Sequence, residues 1–258
     1  MNIGIIGGGA IATYIMEMVE KQTNEGMQVC SVLVRKKEKY AKLATHHRVD
    51  LYTDVDAFLA SDVDIVVEAA NVHVVQDLLP TILRQKSAII ISVGAFVDAT
   101  FLTAMKQLAK DHEQHLYLPS GAIGGLDLIQ HAAATDSLTS VALETRKPAH
   151  TLVETPIHSE QIVFQGTAAT AIKQFPKNIN VSIALGLAGI GMEQTEVTII
   201  ADPKVERNFH TIVAKGAFGQ ATIHVENTPM PRNANTSYLA AVSVVGTLKK
   251  TRSHFHLG

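Results

Sequence analysis

Three glycines, Gly7-Gly8-Gly9, followed by Ala10-Ile11-Ala12, come directly after the apolar run Ile3–Ile6. A buried strand entering a glycine-rich turn and then a helix can hold the diphosphate of a dinucleotide, here in the G-x-G-x-x-A form. Gly7 permits the tight turn, and Gly9, lacking a Cβ, lets the backbone approach a pyrophosphate. Ala12 is small enough for the helix to pack on the strand. The helix start at Ala10 and Ile11 offers free N–H groups and a partial positive charge to phosphates. A second candidate for chemistry is His210, in the segment Asp202–His210. Imidazole titrates near neutral pH and suits proton transfer, although a single histidine in a strand is more commonly structural.

The second strand ends Val34-Arg35-Lys36-Lys37. A carboxylate for the ribose 2′-hydroxyl is expected there in NAD-specific chains. Arg35 stands in its place and would pair with a 2′-phosphate. A cofactor of NADP or NAD is therefore expected, with at least a partial preference for NADP. The alternative is a solvated basic turn.

These residues need elements to position them. The first half alternates strand-like segments (Ile3–Ile6, Val29–Val34, Asp64–Ala69, Ala88–Val93, His115–Leu118) with helix-like ones (Ala10–Gln22, Glu38–His46, Asp56–Ala60, Val72–Arg84, Asp98–His112). Asn71 is a candidate N-cap. Such alternation with near-continuous apolar strands predicts an α/β fold, a doubly wound parallel Rossmann sheet. After Leu118 the pattern changes. A second glycine turn, Ser120–Gly125, leads into a helix to Ala134. The strands that follow (Leu138–Arg146, Gln161–Phe164, Glu193–Ala201, Asn208–Ala214, Ala221–Val225) read as amphipathic and antiparallel, with helices at Thr167–Gln174 and Asn178–Leu187. Ser237–Leu248 reads as a terminal helix capped by Thr236 or Asn235. The expected division is residues 1–119 for a dinucleotide-binding domain and 120–233 for an α+β substrate and dimerisation domain. The segment 234–258 is expected to pack back on the first.

The chain has 258 residues, 47% apolar and 18% charged, with 24 acidic against 22 basic residues and a net charge of −2. This composition fits a globular cytoplasmic protein. It lacks the basic patches that nucleic-acid binding needs. No signal peptide precedes the first strand, and no apolar run reaches membrane-span length. The one cysteine, Cys30, excludes an intrachain disulfide and reads as an inert core thiol. Of the twelve histidines, His46-His47 and His254/His256 read as surface features, and His73 and His158 as structural or surface. No metal site is expected.

Motifs in the second half carry a resemblance. After Gly7–Ala12 come S-G-A-I-G-G-L-D (Ser120–Asp127), T-R-K-P (Thr145–Pro148), V-F-Q-G (Val163–Gly166) and F-P-K-N-I-N-V (Phe175–Val181). L-A-G-I-G (Leu187–Gly191), D-P-x-x-x-x-N-x-H (Asp202–His210) and T-S-Y-L-A-A (Thr236–Ala241) follow in that order. Together they resemble the L-aspartate dehydrogenase family over nearly the whole chain. The resemblance implies a Rossmann domain followed by an α+β domain, assembled as a homodimer. It implies oxidation of L-aspartate with NAD or NADP to iminoaspartate, which hydrolyses to oxaloacetate and ammonia or feeds NAD biosynthesis. It places the catalytic histidine at His210 and further cofactor contacts at Ala122 and Asn180. Gln165 stands where the pattern expects glutamate, and Ala234-Asn235 where it expects a proline and a basic residue.

Crevice binding at the carboxyl ends of the strands puts the nicotinamide near Glu68-Ala69-Ala70, making Ala70 a candidate contact, and near Gly121-Ala122. An imidazole at residue 210 would then face the ring across an interdomain cleft. A dicarboxylic substrate calls for cations, and Arg146, Lys147, Lys177 and Arg207 are candidates. For each the alternative is an ordinary ion pair. Asp127 fits a first-turn charge serving its own helix. Two other functions remain open on the same residues. One is a related reductase, homoserine-dehydrogenase-like or dihydrodipicolinate-reductase-like. The other is a non-catalytic NADP-binding regulator.

Overall fold

The computed structural model describes residues 1–21, 26–175 and 180–255. Gln22, where the first helix was expected to end, lies outside them, as do His256 and the segment Pro176-Lys177-Asn178-Ile179. The chain forms two compact units. One contains residues 1–119 and the segment 241–255, and the other contains Ser120–Ala240.

The first unit is built on β1 (Asn2–Ile6), α1 (Ala10–Lys21), β2 (Gln28–Leu33), α2 (Lys37–His47), β3 (Asp50–Tyr52) and α3 (Val55–Leu59). It continues with β4 (Ile65–Glu68), α4 (Val72–Leu83), β5 (Ser87–Ile90), α5 (Ala99–Asp111) and β6 (Leu116–Tyr117). The strands form one parallel sheet in the order β3-β2-β1-β4-β5-β6. Ile3, Ile5, Val32, Val67 and Ile89 are all but fully buried, as strands covered on both faces must be. Burial of each such side chain is worth about 1.5–3 kcal/mol. Asn71 caps α4, accepting from the Val74 N–H at 3.2 Å. Asp98 caps α5 through the Thr100 and Phe101 N–H groups. Strand order reverses between β1 and β4, where Ile6 aligns with Leu33 on one side and Glu68 on the other. That is the switch point at which such sheets bind ligands.

The second unit comprises α6 (Leu126–Ala134), β7 (Leu138–Pro148), β8 (Gln161–Thr167), α7 (Ala168–Gln174) and α8 (Asn180–Ala188). It goes on to β9 (Glu196–Asp202), β10 (Asn208–Gly216), β11 (Gly219–Asn227) and the short pair β12 (Pro229–Met230) and β13 (Asn233–Ser237). The main sheet runs β11-β10-β7-β9-β8. Its inward side chains, Val141, Leu143, Val197, Ile199 and Ile212, pack with Ile129, Ala168, Ala171 and Leu185 from the helices. The expected antiparallel arrangement is corrected at one pair, because β7 and β9 are parallel. An alternating strand has the same pattern in either direction, so periodicity cannot report polarity.

The last helix, α9 (Tyr238–Arg252), starts after β13, and Thr236 and Asn235 lie in that strand rather than capping the helix. Val244, Val245 and Leu248 join the core that contains Ile3, Ile5 and Ile15.

Candidate active site

The glycine turn has the geometry that its residue types suggest. Gly7 has φ +103°, and a Cβ there would stand 2.6 Å from the Ala69 carbonyl oxygen. No side chain fits, and the Gly7 N–H donates to Leu33 O at 2.9 Å. Gly9 is exposed, and a Cβ built on it would meet nothing within 4 Å. This open space lies at the start of α1, whose first residues are Ala10 and Ile11, with Ala12 fully buried behind them. Free N–H groups beside such space suit a diphosphate. A cavity of about 880 Å³ includes Gly7, Gly9, Arg35 and Ala70 in its wall. That volume is in the range of ligand clefts.

Three cations, Arg35, Lys36 and Lys39, line the same cavity past the end of β2. Tyr40 lines it too, with the Lys39 Nζ 5.4 Å from its ring centre. Lys39 and Tyr40 were not singled out from sequence. The i, i+4 spacing of Arg35 and Lys39 was the available signal. The nearby Asp54 carboxylate accepts from Ala57 N–H at 2.8 Å as the α3 cap. A cationic rim of this kind suits a 2′-phosphate.

Glu68, at the end of β4, is 1% exposed. Its carboxylate accepts from the Ala70 N–H at 2.7 Å, the Ser92 N–H at 3.0 Å and the Ser92 hydroxyl at 2.8 Å. Burial raises its pKa, while these bonds pull it down. The bonds tie the loop after β4, with Ala69 and Ala70, to the loop after β5. An acid closing an apolar strand was the sequence signal for this clasp.

In the second unit, β10 turns His210, Ile212 and Ala214 inward. His210 is 4% exposed and lies opposite Thr145 of β7. The Thr145 hydroxyl is 3.0 Å from its Nδ1, which fixes the ring plane. Burial, then the charge of Lys147, lowers its pKa to about 4, so the imidazole is neutral at pH 7. A neutral imidazole can accept a proton.

The candidate cations separate sharply. Arg146 points away from His210, because β7 alternates. It forms ion pairs with Asp202 at 2.7 Å, with Glu160, and with Glu144 at 3.6 Å. These carboxylates raise its pKa further. Asp202 is held below the usual carboxylate range by the Lys204 N–H and by Arg146. Arg207 makes an exposed pair with Glu226 at 3.4 Å. Lys177 lies outside the described residues. Lys147 is 8% exposed, on the His210 side of β7. Burial lowers its pKa to about 8.

Ala122 and Asn180 belong to the same unit as His210. Asn180 is the exposed first residue of α8. The Ala122 carbonyl accepts from Asn227 Nδ2 at 3.0 Å. Asn227 is buried and accepts from the Ser237 hydroxyl. The T-S-Y motif thus supports the turn that carries Ala122, through an asparagine not singled out from sequence. Gln165 is exposed on β8, and Asp127 lies in the first turn of α6.

His73, His158, His46 and His254 are exposed. His47 is a correction to the surface expectation. It is 8% exposed, with Nδ1 2.7 Å from Glu20, so it pins α2 to α1. Cys30 is partly buried, its thiol directed at the Ile3 and Asp62 carbonyls, and burial raises its pKa.

Similarity to known proteins follows the same division. A family model described as homoserine dehydrogenase, NAD binding domain, matches residues 7–119. One described as aspartate dehydrogenase, C-terminal, matches residues 127–251. The L-aspartate dehydrogenase of Methanococcoides burtonii is 37% identical over 100% of this chain and 99% of its own. That of Methanosarcina mazei is 38% identical at the same coverage. The crystal structure of aspartate dehydrogenase from Thermotoga maritima superimposes with a TM-score of 0.82 at 30% identity, covering 100% of this chain and 99% of that one. A glycine turn at one end of the chain and an N-x-H histidine near the other are therefore parts of one full-length pattern, and the chain belongs to the L-aspartate dehydrogenase family.

Proposed function

We infer that this protein is an NAD(P)-dependent L-aspartate dehydrogenase. The observation that carries the inference is the full-length family match, in which a buried neutral imidazole occurs in the aspartate-dehydrogenase half of the chain. The nucleotide would be held by the turn at Gly7 and Gly9, the α1 start at Ala10 and Ile11, Arg35, and Ala70. Ala122 and Asn180 would contact its nicotinamide end. When bound, the oxidised cofactor supplies the acceptor for the hydride on C2 of aspartate.

His210 is the acid–base group in this scheme. With Nδ1–H donating to Thr145, Nε2 keeps its lone pair and takes a proton from the substrate ammonium. The amine can then release its C2 hydride, leaving iminoaspartate. The same nitrogen assists addition of water to the imine, which yields oxaloacetate and ammonia. Such acid–base help is worth on the order of 10²–10⁴-fold. The protein acts on a small-molecule substrate as a cytoplasmic homodimer.

The test follows NAD(P)H absorbance with purified protein and a panel of aspartate, homoserine and other amino acids. Turnover of aspartate is expected, as is loss of turnover in His210→Ala with cofactor binding retained. Activity only on a different amino acid, or normal turnover in His210→Ala, would overturn the assignment.

A further inference from the structure

We propose that Glu68 is a positioning residue for the dinucleotide: its buried carboxylate clasps the loops after β4 and β5 and so presets the part of the nucleotide cavity wall formed by Ala69, Ala70 and Asn71. This rests on the cofactor reading of the glycine turn. Glu68 itself stands behind that wall and forms no part of it.

The loop has few means of holding its own shape. β4 ends at Glu68, and the Asn71 side chain is spent on capping α4. Ala69 and Ala70 lie between them, with side chains too small to anchor the backbone. The Ala69 N–H donates to Ile6 O at 2.9 Å and continues the sheet by one rung. The Ala70 N–H donates to Glu68 Oε1 at 2.7 Å. The same oxygen accepts from the Ser92 hydroxyl at 2.8 Å, and Oε2 accepts from the Ser92 N–H at 3.0 Å. Donors from two loops thus converge on one carboxylate. Ser92 directly precedes the 3₁₀ turn Val93–Val97, a position from which a serine hydroxyl commonly caps. It makes no cap bond there and is given to Glu68 instead.

The glycine turn is built directly against this loop. A Cβ on Gly7 would stand 2.6 Å from Ala69 O and 3.3 Å from Ala70 Cβ. A shift of residues 69–71 therefore disturbs both the cavity wall and the turn beside it. The loop after β5 is tied in as well, because a Cβ on Gly94 would stand 2.7 Å from Val72 Cγ2 at the start of α4. Burying a carboxylate is costly unless its oxygens are hydrogen-bonded. An apolar side chain would fill the strand end without that cost, as Ile65, Val66 and Val67 do in the same strand. What the carboxylate adds is a fixed geometry at the carboxyl end of β4, beside the switch point where such sheets bind dinucleotides. A wall that is already ordered does not have to be ordered by the cofactor on binding.

The test titrates NAD and NADP calorimetrically into the full chain, well below its unfolding temperature. Wild type is compared with Glu68→Ala and Glu68→Gln. Asp98→Ala is the control, since it removes the acceptor of two backbone N–H groups in the same unit, at the α5 cap and outside the cavity wall. Glu68→Ala should raise Kd about 10-fold or more, by the same factor for NAD and NADP, because the clasp orders a wall that both cofactors share. Glu68→Gln keeps one acceptor oxygen and turns an amide NH₂ toward the other donor, so its Kd should rise by about three- to fivefold. Asp98→Ala should lower the melting temperature and leave both Kd values within about twofold of wild type. Wild-type affinity in Glu68→Ala, or an equal loss in Asp98→Ala, would make Glu68 a stabilising residue only and overturn the proposal. Should Glu68→Ala fail to fold, wild-type affinity in Glu68→Gln overturns it alone. A wild type that binds neither dinucleotide overturns the nucleotide site and the clasp's role together, a result distinct from a wild type that binds and variants that bind equally well.

Discussion

Lys147→Met should make the protein more stable at neutral pH, and the size of the gain is set by the burial of the ammonium. An ordinary lysine ionises near 10.5, whereas Lys147 ionises near 8 because burial penalises its charged form. At pH 7 both folded and unfolded chains carry the proton, and the folded chain holds it less tightly. The difference corresponds to about 3 kcal/mol of destabilisation in the wild type. Methionine has nearly the volume of the lysine stem and removes the charge without opening a cavity. Between pH 8 and 10.5 the unfolded chain binds more protons than the folded one, so wild-type stability rises with pH through that window. The variant has no such group, and the gap between the two proteins should close from about 3 kcal/mol at pH 7 toward zero near pH 10.5. Urea unfolding of both proteins at pH 7 and pH 10 measures this difference, since other alkaline titrations cancel. A gap that is absent at pH 7, or independent of pH, would refute the claim that a charged lysine is held out of water here.

Three other outcomes follow from the same geometry. His210 titrates near 4 when folded and near 6.5 when unfolded, so wild-type stability should fall as pH drops through that interval, and His210→Gln should flatten the acid limb of urea unfolding. Arg35→Ala should raise KM for NADP by about 10- to 100-fold and leave KM for NAD nearly unchanged, as steady-state kinetics with each cofactor will measure. Glu68→Ala removes the acceptor of the Ala70 and Ser92 N–H groups and of the Ser92 hydroxyl, and should lower unfolding free energy by about 1–3 kcal/mol in denaturant titrations.

The parallel sheet could be read from the chain because its evidence is local. Runs such as Ile65–Val67 are apolar throughout, and helices separate them at regular intervals. β3 escaped notice because it is three residues at the sheet edge, none of them fully buried. In the second unit the strands were visible but their directions were not, which is why the β7–β9 pair was misread. The strained conformation of Gly7 was legible for the same local reason as the sheet. The Thr145–His210 contact was not, since it joins residues 65 positions apart. The contrast between Arg146 and Lys147 needed only the two-residue period of a strand and knowledge of which face the helices cover. His47 was misread because one helical position separates it from a solvent-facing histidine, and its partner Glu20 is distant in sequence.

The first unit is discontinuous in sequence, since Val244, Val245 and Leu248 fill space beside Ile3 and Ile5. During synthesis the opening half of the polypeptide therefore emerges without part of its own interior. It must wait for the final turns of the chain before that interior closes. A nascent chain halted near residue 119 should expose apolar surface, and chopping the protein there for separate expression would yield a nucleotide-binding fragment prone to aggregate unless residues 241–252 were grafted back onto it.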